Sequence, residues 1–261
     1  MNPFTSISFL TKINQLFKQE LNIEVKIGFE QEFYYAEAID ELEKQYPEFH
    51  FEAENGPNQY EAITEASFEI ERQCEAIIAL RSNLSVNVSA LISSEMPSSA
   101  LNLSVSLWRG GQNLLAKKLD GSDSKHLLWA VAGLEDLAND FINVYCPTEN
   151  SFARIKEAND HVPTKVCWGY NNRTAAFRIP TTDPHLIRIE NRIISSDASP
   201  IAACAATLYS IYHGIKEQIT LHHKIYGDSG HEQYQLIKLI DNLDEAENRL
   251  ELWNSKNHSR G

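Results

Sequence analysis

The chain has 261 residues, of which 43% are hydrophobic and 23% charged, and a formal net charge of −13 at pH 7. That length builds one large domain or two small ones from ordinary globular material. The charge excludes nucleic acid as a partner, because no Lys/Arg cluster offsets it, and a polyanionic substrate must approach through metal ions or a local arginine patch.

Residues 5 to 21 place Phe9, Leu10, Ile13, Leu16, Phe17 and Leu21 at helical spacing, with Thr5 or Ser6 as cap. They predict a leading helix within residues 1–24. Residues 26 to 37, KIGFEQEFYYAE, alternate like a strand. Ile27, Phe29, Gln31, Phe33 and Tyr35 point one way, and Gly28, Glu30, Glu32 and Tyr34 the other. Glu30 and Glu32 therefore stand about 6–7 Å apart on one face. Such a pair repels unless a cation or a base lies between them. The ordinary alternative is a solvated outer face.

Residues 37 to 46 read as a short polar helix that ends before Pro47. Residues 48 to 54, EFHFEAE, alternate as a strand, NGPNQ at 55 to 59 is turn chemistry, and 60 to 65 resume an extended pattern. From Ser67 a helical pattern runs to about Ser93, carrying Ile70, Cys74, Ile77, Ile78 and Leu84. Residues 100 to 108, ALNLSVSLW, send Leu101, Leu103, Val105 and Leu107 to the core and Asn102, Ser104 and Ser106 outward or into a site. Gly110 and Gly111 turn the chain. Ser124 caps a long helix through Leu127, Leu128, Val131, Leu134, Leu137 and Phe141.

Residues 147 to 163 read as a loop holding Asn150, Ser151 and Arg154. Residues 165 to 179 read as a strand, a turn at Asn171 and Asn172, and a second strand. Residues 185 to 193 form a strand with Arg188, Glu190 and Arg192 on one face. Ser199 and Pro200 start an apolar helix to about Ile215. A looser segment holds Tyr226, Gly227 and Gly230, and a charged helix over 232–253 closes the chain. Several strands are adjacent without helices between them. The expected fold is α+β: one domain over residues 1–261, a curved antiparallel sheet with helices packed outside.

Cys74, Cys146, Cys167 and Cys204 form no CxxC and are widely spread, which predicts a reducing compartment. The run Leu127 to Leu134 is far short of the roughly 20 residues a membrane span needs, and no signal peptide is visible. A cytoplasmic protein without a membrane partner is expected. His222, His223 and His231 lie on a polar segment and read as solvated. Ser106 and Ser151 lack the histidine and acid of a triad. Trp108, Trp129, Trp168 and Trp253 read as core or interface residues.

The polar strand faces offer two sets of groups. Glu30, Glu32, Glu54, Glu61 and Glu190 supply the carboxylate oxygens that Mg²⁺ or Mn²⁺ wants. Arg154, Arg173, Arg178, Arg188 and Arg192 supply forks for phosphates and carboxylates. Together they suit metal-assisted phosphoryl transfer from a nucleotide. The alternative is that they pair with one another. For Glu190, between Arg188 and Arg192, the two readings stand nearly even.

GFEQEF, ENGPNQYE, NSFAR, WGYNNRTAAFRIP, and RIENRI followed by DASPIAACAATLYSIYHGI resemble, in order and spacing, the catalytic domain of the glutamine synthetase family. The resemblance covers roughly residues 5 to 250. It implies an ATP-dependent carboxylate–amine ligase that makes a γ-glutamyl amide from glutamate and ammonia or an amine through an acyl phosphate. ATP would be co-substrate and Mg²⁺ or Mn²⁺ the cofactor. Glu32, Glu54 and Glu61 match ligands of the family's first metal, and Glu30 and Glu190 those of its second. Arg154 and Arg192 resemble the arginines that hold the amino acid. Arg173, Arg178 and Arg188 resemble those that neutralise the phosphates, with Arg173 and Arg192 in catalytic positions.

The family's Gly-Ser-Gly-x-His-x-His stretch aligns with residues 98–104. Asn102 stands where the first histidine, a metal ligand, is expected, and Ser104 where the second lies near the nucleotide, with Ser106 beyond it. Ser98 and Ala100 replace the glycines. The flap glutamate that takes a proton from ammonium falls at Asp160 or His161. The family's N-terminal β-grasp domain has no counterpart here. In the family that domain closes the neighbouring subunit's site, so a smaller oligomer or a partner subunit is expected in place of the family's ring. The resemblance also admits a catalytically degenerate relative that binds nucleotide, amino acid or a partner subunit.

Overall fold

The alternating stretch forms β1 (Glu24–Tyr34), the longest strand, which runs antiparallel to β3 (Gln59–Thr64) on one side and β4 (Leu101–Arg109) on the other. A computed structural model describes residues 3–83, 85–157, 161–180, 183, 186–220 and 223–257. Leu84, Asp160 and His222 lie outside the described residues. The sheet runs β2-β3-β1-β4-β8-β7-β6, with β2 (Phe49–Ala53), β6 (Trp168–Tyr170), β7 (Phe177–Ile179) and β8 (Ile189–Asn191). A two-residue strand, β5 (Gln112–Asn113), pairs with the end of β4.

Period-two alternation of side chains gives this sheet an apolar face. Ile27, Phe29 and Phe33 of β1 and Leu101, Leu103, Val105 and Leu107 of β4 are buried there. Three helices cover the core: α1 (Ile7–Leu21), α3 (Ile70–Arg81) and α7 (Pro200–Glu217), while the short α2 (Ile39–Gln45) lies against β2. A fourth, α4 (Lys125–Leu137), packs on α7. Ser124 and Ser199 cap α4 and α7, their hydroxyls accepting the N–H groups of Leu127 and Ala202. Among the described residues no helix is long and apolar enough to cross a membrane.

Five expectations are corrected. The helix expected over 67–93 is only α3, because past Arg81 local bonds take over. Ser82 Oγ donates to Ile78 O, and Asn83 Oδ1 accepts Ser85 N–H. The long helix after Ser124 stops at Leu137 and resumes as the single turn α5 (Ile142–Tyr145). At the break, Phe141 stacks edge-on against Phe4, Tyr209 and Trp253. The expected loop over 147–163 contains α6 (Glu149–Lys156), started by a capping box of Thr148 and Ser151. Strands β6 and β7 pair parallel, against the expectation of an antiparallel sheet throughout, in the register Trp168↔Phe177. Asn171 is left-handed, and Asn172 Oδ1 gathers both N–H and hydroxyl of Thr174, so the connection turns the chain fully round. The closing helix is α8 (Leu243–Asn257). Ahead of it, residues 237–239 bond to Thr164 and Val166 as an extended segment.

Glu135 of α4 is a buried carboxyl remote from the cleft described below. It accepts the N–H of His223 at 3.1 and 3.3 Å. Burial pushes its pKa up to about 8, against which that N–H pulls only partly. A raised carboxyl pKa means that its contribution to stability is complete below the ordinary value of 4.5 and is lost as pH rises through about 8. Glu135→Gln is therefore expected to show a shallower fall in melting temperature between pH 5 and 8 than the parent. Parallel curves for the two proteins would mean that Glu135 is ionised in the fold.

Candidate active site

Register decides which polar groups meet. Glu32 lies across from Glu61 on β3, and Glu30 across from Asn102 on β4. Glu190 of β8 lies across from Ser104 on one side and Arg178 on the other. These side chains share the face opposite the core, so carboxylates gather toward β3 and guanidinium groups toward β7.

The turn after β2 brings in Glu54. Its N–H donates to Gln59 O at 2.9 Å. A Cβ on Gly56 would stand 2.7 Å from Tyr34 Oη and 2.9 Å from Gln59 Oε1, so a larger residue there would displace the Gln59 side chain that holds the turn. The Gln59 amide donates to Ser98 O at 3.0 Å and Ser99 Oγ at 3.1 Å. This holds residues 98–100 over the first strand, where Ala100 N–H donates to Glu32 Oε2 at 2.8 Å.

The result is a cleft of about 230 Å³. Glu30, Glu32, Glu54, Glu61 and Asn102 line it together with Arg154, Arg173, Arg178, Arg192 and His161. Burial pushes the Glu32 carboxyl up to about 7, with Arg154 pulling down and Glu54 pushing up. Glu61 is pushed up to about 8 by burial and then by Glu30, Glu54, Glu32 and Glu52. Glu30 is raised by burial and by Glu190. Directly opposed carboxylates destabilise a sheet unless protons or a cation intervene.

The arginines are anchored with donors left over. Arg154, on α6, donates to Ile193 O at 3.1 Å and Arg192 O at 3.3 Å. Arg192 donates to Arg173 O. The Nε atoms of Arg154 and Arg178 are buried with no hydrogen-bond partner among the described residues, and an anion in the cleft would satisfy such donors.

Glu190 lines neither cleft. It is fully buried, with Oε2 2.7 Å from Arg178 Nη1 and Oε1 2.5 Å from Arg192 Nη1. The pairing reading therefore describes the folded chain, with Arg178 in place of Arg188. Arg188 instead donates to Ser104 Oγ at 3.2 Å. That pair, with Ser106, Trp108 and Gly28, lines a second cleft of about 210 Å³ that shares Glu30 with the first. The expected nucleotide set is thus divided: Ser104, Ser106 and Arg188 in the second cleft, Arg178 in the first.

Among the described residues, no three His, Cys, Asp or Glu side chains form a ready metal site. The donor chemistry of Glu32, Glu54 and Glu61 still fits one hard divalent cation. Asn102 lines the same cleft and turns its amide Nδ2 toward Glu32 at 3.4 Å, while its Oδ1 is buried without a hydrogen-bond partner among the described residues, so a turn of the amide would offer a further oxygen. The second metal position fits poorly, because both oxygens of Glu190 are taken by guanidinium groups.

Sequence reasoning missed Gln59, which secures the 98–100 segment, and Asp197, described below. The Thr148-x-x-Ser151 spacing was a readable capping signal. Asp197 opens the quoted DASPIAACAATLYSIYHGI stretch, but nothing local told what its carboxylate would meet.

The family description "Glutamine synthetase, catalytic domain" matches residues 70–255. The gamma-glutamylputrescine synthetase PuuA of Escherichia coli is 34% identical over 135 residues, covering 51% of this chain and 28% of that protein. The glutamine synthetase of Pyrococcus horikoshii is 32% identical over 162 residues, covering 60% of this chain and 36% of that protein. A glutamate–isopropylamine ligase from Pseudomonas is 27% identical over 205 residues, covering 74% and 44%. The chain thus spans less than half the length of these relatives. Among solved structures, apo GmaS superposes with a TM-score of 0.77 at 19% identity, over 99% of this chain and 69% of that one. A structure described as a novel glutamine synthase homolog does so with the same TM-score over 98% and 66%. With the alternating carboxylate strand, the arginine cleft and the matched stretch all in place, the chain belongs to the glutamine synthetase family.

Proposed function

We propose that the chain is an ATP-dependent carboxylate–amine ligase. The observation that carries this reading is the meeting, in one cleft, of four carboxylates with four arginines, two of which, Arg154 and Arg178, keep an Nε donor without a partner among the described residues. The names of the relatives, a gamma-glutamylputrescine synthetase and a glutamate–isopropylamine ligase among them, support an amine acceptor.

In this reading the side-chain carboxylate of an amino acid, glutamate in the first instance, attacks the γ-phosphorus of ATP and ADP leaves. The amine nitrogen then attacks the acyl carbon and phosphate leaves. Arg154 and Arg192 hold the amino acid's α-carboxylate. Arg173 and Arg178 offset charge on the transferred phosphoryl group, which in water-poor surroundings is worth more than in solvent. Arg188, Ser104 and Ser106, in the second cleft, contact the nucleotide. Glu32, Glu54 and Glu61, with Asn102, hold Mg²⁺ or Mn²⁺, which supplies Lewis-acid polarisation when bound. His161, which lines the first cleft, is the described candidate for taking the amine's proton; Asp160, the other residue expected there, lies outside the described residues.

Phosphate release from ATP is expected only with both glutamate and an amine present, and to fall at least about 100-fold in Glu32→Gln, the scale for losing a preorganised electrostatic group. Turnover unchanged by that substitution would overturn the assignment. The second reading, a chain that binds without turnover, is favoured by Asn102 and Ser104 standing where imidazoles are expected. It predicts that calorimetry detects ATP binding while no amine in a panel elicits phosphate release.

A further inference from the structure

Arg154 reaches the cleft from a helix of only eight residues, too short to hold its own orientation in water. Its placement must come from outside α6. Asn150 of α6 exchanges two hydrogen bonds with the backbone of Leu91, and two further attachments belong to residues 192–197. The first is the pair of carbonyls at Arg192 and Ile193, which take the guanidinium. The second is the carboxylate of Asp197. Its Oδ2 accepts the Thr148 hydroxyl at 2.7 Å, and its Oδ1 accepts the Ser151 hydroxyl at 2.8 Å. The Ser195 hydroxyl also donates to Oδ1.

Thr148 and Ser151 are the two halves of the capping box that starts α6. Thr148 Oγ1 accepts Ser151 N–H at 3.1 Å, and Ser151 Oγ accepts Thr148 N–H at 3.3 Å. A hydroxyl has one proton and two lone pairs. The carboxylate of Asp197 accepts from both hydroxyls, so their protons point toward it and their lone pairs are left for the backbone N–H groups. Asp197 thereby sets the polarity of the box as well as its place. The same segment is tied to the carboxylate side of the cleft, since Leu101 N–H donates to Ile194 O beside the Ala100 that holds Glu32.

We propose that Asp197 is a positioning residue: through the Thr148–Ser151 cap it keys α6 to residues 192–197 and so aims Arg154 at the substrate carboxylate. The substrate part of this inference rests on the ligase reading above; the clamp itself does not.

The test uses the full chain with Mg²⁺ and a non-hydrolysable ATP analogue, titrated calorimetrically with glutamate. Asp197→Asn puts an N–H donor and a single acceptor where three hydroxyls converge. It is expected to weaken glutamate about tenfold, the scale for one misaligned charged hydrogen bond, while nucleotide affinity stays within about twofold. Thr148→Val should act like Asp197→Asn, and Thr148→Ser, which keeps the hydroxyl, should match the parent. Glutamate affinity unchanged in Asp197→Asn, or glutamate and nucleotide affinities falling together with the melting temperature, would overturn the proposal. If the parent binds nucleotide but no glutamate, the ligase reading fails. The clamp is then decided by the Nε–H resonance of Arg154, identified by its loss in Arg154→Lys. A shift or broadening of that resonance in Asp197→Asn supports the clamp, and an unmoved resonance overturns it.

Discussion

Replacing Glu190 by glutamine is expected to destabilise the protein by about 3–5 kcal/mol, the usual penalty for removing one partner of a buried ion pair. Glu190 is fully buried, and each of its oxygens meets a guanidinium, from Arg178 and from Arg192. Glutamine keeps the shape but offers one acceptor and a misplaced donor, leaving one arginine unpaired in a poorly solvated site. The two guanidinium groups would also repel with nothing between them. Both are assigned above to substrate or phosphoryl contacts, so ATP turnover is expected to fall at least about 100-fold as well. Urea unfolding checks the first effect through a lower midpoint at unchanged slope. A stability change below about 1 kcal/mol, the range of exposed pairs, would show that the triad is solvated. If Glu190 were instead mainly a metal ligand, the loss of stability would appear only with metal present.

Gly214→Ala is expected to have an effect of similar size, through packing. On α7, a Cβ at Gly214 would fall 2.1 Å from Trp129 O and 2.8 Å from Gly133 Cα, both backbone atoms of α4. Gly133 faces it in the same way, its Cβ falling 2.1 Å from Ser210 O. No rotamer change relieves a clash with backbone, so the two helices must separate, at a cost of about 3 kcal/mol for overpacking. Intrinsic helix propensity pulls the other way, favouring alanine over glycine by about 1 kcal/mol. The sign of the change in melting temperature therefore decides between them: a fall of several degrees is expected, and a rise would mean that the helices are not in backbone contact.

What the sequence determined by itself was everything carried by a local period or a local cap. The alternation of Ile27, Phe29 and Phe33 with Glu30 and Glu32 identified the central strand and its polar face. The alternation from Leu101 to Leu107 did the same for β4, and Ser124 and Ser199 marked the starts of α4 and α7. These features depend on residues a few positions apart, whose directions follow from backbone geometry alone. The gathering of Glu30, Glu32, Glu54 and Glu61 with four arginines was legible only because motifs of a family lay along the chain in order.

The tertiary structure decided the partners. Two residues apart on one strand stand about 6–7 Å from each other, whereas cross-strand neighbours stand at about 5 Å. Glu190 meets Arg178, which only the β7–β8 register places opposite it, together with Arg192 two residues on, while Arg188 two residues back turns to Ser104. The parallel pairing of β6 and β7 has the same origin, since a turn at Asn171 does not specify how far round the chain goes. Asp197 is the extreme case. Its carboxylate is 46 residues from Ser151 and 49 from Thr148, and its effect on Arg154 exists only because α6 is laid against the segment leaving β8. A hydrogen bond is set by distances in space, and across such a separation only the packed sheet and helices supply them.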